Sequence, residues 1–275
     1  VTDVVFYVGG HQDDALLFQG DVRYWDLHTA GVRVVQVVTT AGDAGRTDGW
    51  WQAREKGLVE ACMAAMSPKP VTAGMVSVNG KAVRRYGTDE WVCYFLRLPD
   101  GNLDDSGFPA TGHNTLGKLR DKKISGLSAV DGTAVYSGWT DLVDTLRAIL
   151  DQEGADAANP HPWVNASDWD RDADPGDHPD HYATADALTD IVVPDYNRAW
   201  WVSYDTQNRA PNLDGMDLLA KRFAFYAYGW SLYHSTGTPP NDAEWAWWGD
   251  KRYGRLEEAD VSLLERAGAL HTVPA

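Results

Sequence analysis

The chain has 275 residues, with 24 Lys and Arg against 40 Asp and Glu, and a formal net charge of −16. That length suits one large α/β domain or two small ones, and the acidic balance argues against nucleic acid or an anionic membrane as partner. No apolar run reaches the ~18 residues of a membrane span, so no membrane insertion is expected, and with no basic-then-apolar leader a cytoplasmic protein is the default.

The first element is VVFYVGGHQDD (4–14). Its apolar run reads as a strand buried on both faces, ended by two glycines. His11, Gln12, Asp13 and Asp14 follow at once, where the strands of an open parallel sheet present ligand sites. Imidazole plus carboxylate suits zinc or a similar divalent ion. With His11 and Asp14 as ligands, Asp13 between them is left free to act as a base. The structural alternative is that Asp13 or Asp14 caps the next helix.

Residues 15–30 then show helical spacing, with Gly31 where a C-cap glycine sits, and VRVVQVVTTA (32–41) is a second buried strand. Strand, helix and strand in about forty residues form a βαβ unit, which implies a parallel sheet with a right-handed crossover. The loop GDAGRTDG (42–49) is neither a phosphate loop nor a dinucleotide fingerprint. A helix is expected from Trp50 to Met66, then a hairpin turning at Asn79-Gly80, then a strand over 91–98 with an acidic loop over 99–107.

Further helices are expected near 115–123 and over Trp139–Leu150, with a short strand in PWVNAS before the polar loop WDRDADPGDHPDH (169–181). The last residues of that loop open another helix. A strand over 199–204, a long aromatic-rich helix over 216–233 and a helix over about 257–267 complete the chain. No repeat or low-complexity segment appears. The expected architecture is one Rossmann-like α/β domain over 1–275, with a mostly parallel sheet and helices on both faces; 206–275 is its helical, aromatic-rich C-terminal part. Cys62 and Cys93 lie in apolar surroundings without CxxC spacing, and read most simply as core residues.

The DHPDH segment (177–181) answers the first cluster. His11, Asp14 and His181 make a three-ligand set that leaves a hydrolytic zinc its open position. His178, as imidazolium, is expected to stabilise the negative oxygen of a tetrahedral intermediate, and Asp180 to orient either histidine and keep His178 protonated. Asp177 is a further candidate for supporting them.

These motifs together resemble the zinc-dependent N-acetylglucosaminyl de-N-acetylases. That LmbE-like family includes the deacetylases of glucosaminyl phosphatidylinositol and mycothiol biosynthesis. The resemblance runs through HQDD, TAGDAG, Arg54, LRLPDG (96–101) and HPDH, over about residues 4–205. It implies one zinc ion on His11, Asp14 and His181, Asp13 as base, His178 as transition-state histidine, and Arg54 and Asp100 near the sugar. Gln12, Ala15 and Gly57 depart from the usual proline and two glutamates, which bears on substrate rather than reaction.

There are 13 tryptophans. Trp50, Trp51 and Trp163 are candidates to stack on a substrate, the other reading being core and loop anchoring. The aromatic bias resembles the branch that acts on glycopeptide-antibiotic pseudoaglycones, so the expected partner is a glycosylated small molecule or glycopeptide. The alternatives are a deacetylase of chitobiose or mycothiol-type substrates, and a calcium-dependent glycan-binding module. Calcium's preference for oxygen ligands counts against the last.

Overall fold

The computed structural model describes residues 2–191, 196–239, 241–259 and 270–272. In chain order the elements are β1 (Asp3–Gly9), α1 (Asp14–Leu17), α2 (Gly20–His28), β2 (Val32–Thr40), α3 (Trp50–Ala65), β3 (Thr72–Val78), β4 (Lys81–Gly87) and β5 (Trp91–Leu98). Then come α4 (Leu116–Arg120), β6 (Leu127–Ser128), β7 (Val135–Tyr136), α5 (Trp139–Gly154), β8 (Trp163–Ser167), α6 (Pro179–Asp190) and β9 (Asn197–Trp201). The chain continues through α7 (Gly215–Thr236), α8 (Asp242–Trp248), β10 (Gly254–Glu257) and β11 (Leu270–Thr272).

Nine strands form one sheet in the order β11-β10-β9-β8-β1-β2-β5-β4-β3. Its centre, β9 to β5, is parallel, and each margin is antiparallel. The β-branched runs of β1 and β2 are buried on both faces because helices cover both sides, as parallel sheets require. One core layer joins the sheet to α5 and α6; the other joins it to α2, α3 and α7. β1 pairs with β2 on one side and, after a long excursion, with β8 on the other. Chain direction thus switches sides beside β1, which opens a crevice at its carboxyl end.

The hairpin turns through Asn79 and Gly80, both at positive φ (47° and 70°), as its sequence predicts. The helix expected over 15–30 is instead two. Gln19 leaves helical geometry at φ −144°, and Gly20 restarts it where a Cβ would stand 3.1 Å from Lys221 Cγ of α7. The helix expected near 257–267 begins in strand β10, and the rest of it, 260–267, lies outside the described residues.

Between α2, β2 and α3 a guanidinium is fully enclosed. Arg23 donates from Nε to Gln36 Oε1 (2.8 Å) and from Nη2 to Cys62 Sγ (2.8 Å). Cys93 lies 3.8 Å from Cys62, and both cysteines are free. Burial opposes ionisation of Cys62, but the Cys93 hydrogen bond and the Arg23 charge pull its pKa down to about 6.

Candidate metal centre and active site

The carboxyl ends of the parallel strands deliver the site. His11 and Asp14 follow β1, Gly42 and Asp43 follow β2, Asp100 follows β5, and Tyr204 follows β9. His178 and His181 come from the start of α6, where Pro179 at the first position suits helix initiation.

Three electron-pair donors face one another. His181 Nε2 is 3.0 Å from Asp14 Oδ1 and 3.2 Å from His11 Nδ1, and His11 Nδ1 is 3.6 Å from Asp14 Oδ1. Tetrahedral ligands about 2.0–2.2 Å from a zinc ion stand about 3.3–3.6 Å apart, so the triangle fits one such ion. Each corner is held from behind. Asp14 Oδ2 accepts the His11 backbone N–H (2.8 Å), His181 Nδ1 meets Asp177 Oδ1 (2.8 Å), and His11 Nε2 meets Asp180 Oδ2 (3.1 Å). Carboxylates behind both rings fix the tautomers that turn His11 Nδ1 and His181 Nε2 toward the centre of the triangle. The cluster is able to coordinate a single metal ion.

Electrostatics follow from this crowding. Burial opposes charge on His11, but hydrogen bonds to Asp14 and Asp180 outweigh it and lift its pKa to about 10. Asp14 and Asp177 likewise hold His181 well above its usual value against burial. Despite burial, His181 and His11 hold Asp14 well below the carboxylate range. Protons thus stand in for a cation.

Two glycines are required by close approach. A Cβ on Gly10 would lie 3.1 Å from His181 Cδ2, and one on Gly101 only 2.6 Å from Asp180 Oδ1. The backbone N–H of Gly101 donates to Asp180 Oδ2 (2.9 Å), which ties the LPDG loop to the ring support of His11.

His178 lies beside the triangle, and a ligand atom of each of the three histidines falls within 4.8 Å of the others. Its Nδ1 accepts the backbone N–H of Asp180 (3.1 Å), which puts the ring proton on Nε2. Burial and the neighbouring His11 push its pKa down to about 3. The expectation of an imidazolium sustained by Asp180 is therefore corrected. That carboxylate is 3.1 Å from His11 but 3.7 Å from His178, so His178 is a neutral donor and Asp180 chiefly a support for His11.

His11, Asp13, Asp14, Trp50, Arg54, Asp100 and His178 border one cavity of about 250 Å³. Arg54 uses its donors on the protein itself: an ion pair to Asp13 Oδ1, and hydrogen bonds to Gly42 O (3.0 Å) and the Tyr228 hydroxyl (3.0 Å). Asp100 is buried, accepts the Ala44 N–H and stands 3.9 Å from His11 Nε2.

Two tryptophans fall elsewhere. Trp51 lies under the Arg97 guanidinium (4.9 Å), away from the cavity border. Trp163 begins β8 and pairs with Val5, at the opposite end of the strands, where it borders a separate groove with Trp201. Its expected role in substrate binding is corrected: fifteen residues separate it from His178 in sequence, but a strand running toward the site starts on the far edge.

The sequence reading missed the far wall. Tyr204 stacks on Trp248 (4.8 Å) and meets the His181 ring edge-on (5.3 Å). Phe225, Tyr228, Gly229 and Leu232 of α7 border the cavity at helical spacing, a signal present in the sequence. Glu244 of α8 faces the same space, and burial with the charge of Asp13 pushes its pKa up to about 7.

The class defined by this sheet, its switch point and its helices is a Rossmann-like α/β fold. Among solved structures, the chain is similar to a deacetylase of the teicoplanin biosynthesis pathway, at 16% identity over 84% of each chain with a TM-score of 0.50. At that identity the likeness speaks to fold. The A40926 pseudoaglycone deacetylase aligns at 16% identity over 88% of each chain, with a TM-score of 0.45. N,N'-diacetylchitobiose deacetylase from Pyrococcus horikoshii aligns at 17% identity over 97% of this chain and 89% of its own, with a TM-score of 0.44. No protein-family sequence model matches the chain, and neither does any curated protein.

Proposed function

We propose that the protein is a zinc-dependent amide hydrolase that removes the N-acetyl group from an N-acetylglucosaminyl unit, carried on a glycopeptide pseudoaglycone. The observation that carries this reading is the His11–Asp14–His181 donor triangle, backed by Asp177 and Asp180 and flanked in one cavity by Asp13 and His178. A calcium-binding lectin site is disfavoured by two ring nitrogens in the triangle.

Zinc, when bound, supplies Lewis acidity toward the amide carbonyl and a water acidified to near neutral pH. Asp13, at the cavity border beside the triangle, would take a proton from the attacking water and return it to the leaving amine. Arg54 holds Asp13 by one oxygen and leaves the other for the reaction. His178 donates its Nε2 proton to the amide oxygen as negative charge grows there, a neutral imidazole acting as hydrogen-bond donor. Asp100 and Trp50 border the sugar side, and Phe225, Tyr228 and Trp248 close the cavity behind it.

The substrate assignment is supported by the fold likeness to the deacetylase of the teicoplanin biosynthesis pathway and by Trp50 at the cavity border. An apolar aglycone packed on the half-buried Trp50 gains about 25 cal/mol per Å², an energy no free sugar can use. Deacetylation of N-acetylglucosamine, diacetylchitobiose and an N-acetylglucosaminyl pseudoaglycone, compared as kcat/KM at saturating zinc, tests it. The expected order is pseudoaglycone well above the other two. A preference for chitobiose overturns the substrate, and no turnover of any of them with metal bound overturns the reaction.

A further inference from the structure

Helix α7 is apolar on two sides, and among the described residues the fold covers only one of them. Its inner side, including Ala224, Phe225, Tyr228 and Leu232, is buried against the body of the protein. On the outer side Met216, Leu219, Phe223, Trp230 and Tyr233 are each 44–62% exposed. With the half-buried Tyr226 between them, the intervals run 3, 4, 3, 4 and 3 residues. That is the a-and-d spacing of helices that pair through a heptad seam. At 3.6 residues per turn the six fall within an arc of roughly 100°. Trp25 of α2, 38% exposed, extends the patch, its Nε1 donating to Asp217 of α7. Single exposed apolar residues are ordinary on a protein surface, whereas a contiguous stripe along most of a 22-residue helix is not.

We propose that this face pairs with the same face of a second copy of the chain, the two α7 helices running antiparallel. Three observations favour a second copy over other occupants. The stripe is self-complementary: a twofold axis beside the helix centre sets Met216 opposite Tyr233, Leu219 opposite Trp230, and Phe223 opposite Tyr226, each a d position against an a position. The area suffices, since the stripe with Trp25 exposes roughly 600 Å² per copy, or ~1,200 Å² for the pair, the lower bound of stable interfaces. None of the six seam positions is acidic, and the two carboxylates at its edge, Asp217 and Asp242, accept hydrogen bonds from Trp25 and Tyr226, so although the whole chain carries −16 like charge resists chiefly at long range. Tyr228 and Leu232 on the inner side of the same helix border the cavity, so pairing braces the site wall from outside.

Sedimentation of the full chain over a range of concentration and salt reads the proposal. The expected result is a monomer–dimer equilibrium that tightens as salt rises, because screening relieves repulsion between two acidic copies. The double substitution Leu219→Glu, Trp230→Glu is expected to leave a monomer with unchanged far-ultraviolet circular dichroism. Register is read independently by a short bismaleimide cross-linker. It should join Leu219→Cys to Trp230→Cys when the two variants are mixed, and join neither to itself. A chain that stays monomeric at every concentration overturns the proposal, as does a dimer that survives the double substitution. A monomer that adsorbs to phosphatidylcholine vesicles through these residues overturns it too, and makes the face a lipid-contacting one.

Discussion

Two buried polar assemblies in this protein are built in opposite ways. Around Arg23, unlike groups meet: a guanidinium donates to an amide oxygen and to a sulfur that it draws toward the thiolate. In the crevice at the end of β1, like groups meet. Two ring nitrogens and a carboxylate oxygen turn their lone pairs on one another within 3.6 Å, and only protons or a cation relieve that. The first arrangement closes on itself and contributes to stability. The second is costly alone and becomes favourable when something positive enters, so binding capacity is read from mutual repulsion among well-supported donors rather than from burial.

The contrast breaks most severely at the triangle. His181→Ala should abolish stoichiometric metal binding and reduce deacetylation to background, a larger loss than the ~10–100-fold that removing an outer support costs. Metal analysis of the purified variant decides this, and retained stoichiometric zinc would remove His181 from the ligand set. Asp13→Asn should keep the metal while lowering kcat by about 10²–10⁴, the scale of a positioned acid–base group. If metal is lost instead, the roles of Asp13 and Asp14 are exchanged.

A smaller effect concerns pH. His11 stands at about 10 and His181 well above its usual value, so both carry protons near neutrality and a metal must displace them. Affinity should therefore rise with pH, by about tenfold per unit for each proton released. Calorimetry in buffers of different ionisation enthalpy counts those protons, and a pH-independent affinity would contradict the assignment. The least effect on catalysis is expected at the other assembly. Arg23→Met should cost about 1–3 kcal/mol of stability through lost charged hydrogen bonds, yet leave kcat unchanged. A fall in kcat at full folding would mean that the two assemblies are coupled.

What the sequence disclosed follows from how locally each feature is encoded. HQDD after an apolar run, and HPDH at a helix start, carry their chemistry in adjacent residues, and the sheet has only to bring two strand ends together. The Asn79-Gly80 turn is local in the same sense, because its positive φ angles are a property of two residues. The break before Gly20 is not local, since what it accommodates is Lys221, two hundred residues on. The partner of Asp180 was misread for a similar reason: His178 is nearer in sequence, but His11 is nearer in space. Trp163, a candidate for stacking on a substrate, opens a strand that runs toward the site and so lies at its far end, which strand direction rather than residue type decides. The wall formed by Tyr204, Tyr228 and Glu244 comes from three segments whose convergence no spacing announces.

One oxygen links two properties that are usually engineered separately. Asp180 Oδ2 receives both the Gly101 N–H of the loop after β5 and the ring N–H of His11. A loop exchange that lifts residue 101 away, or gives it a side chain, also slackens the support of the His11 ring. Substrate range at this position is thus inherited together with metal affinity. A library that diversifies the loop should hold Gly101 fixed, keep the half-buried Asn102 and Asp105, and vary the exposed Leu103, Asp104 and Ser106.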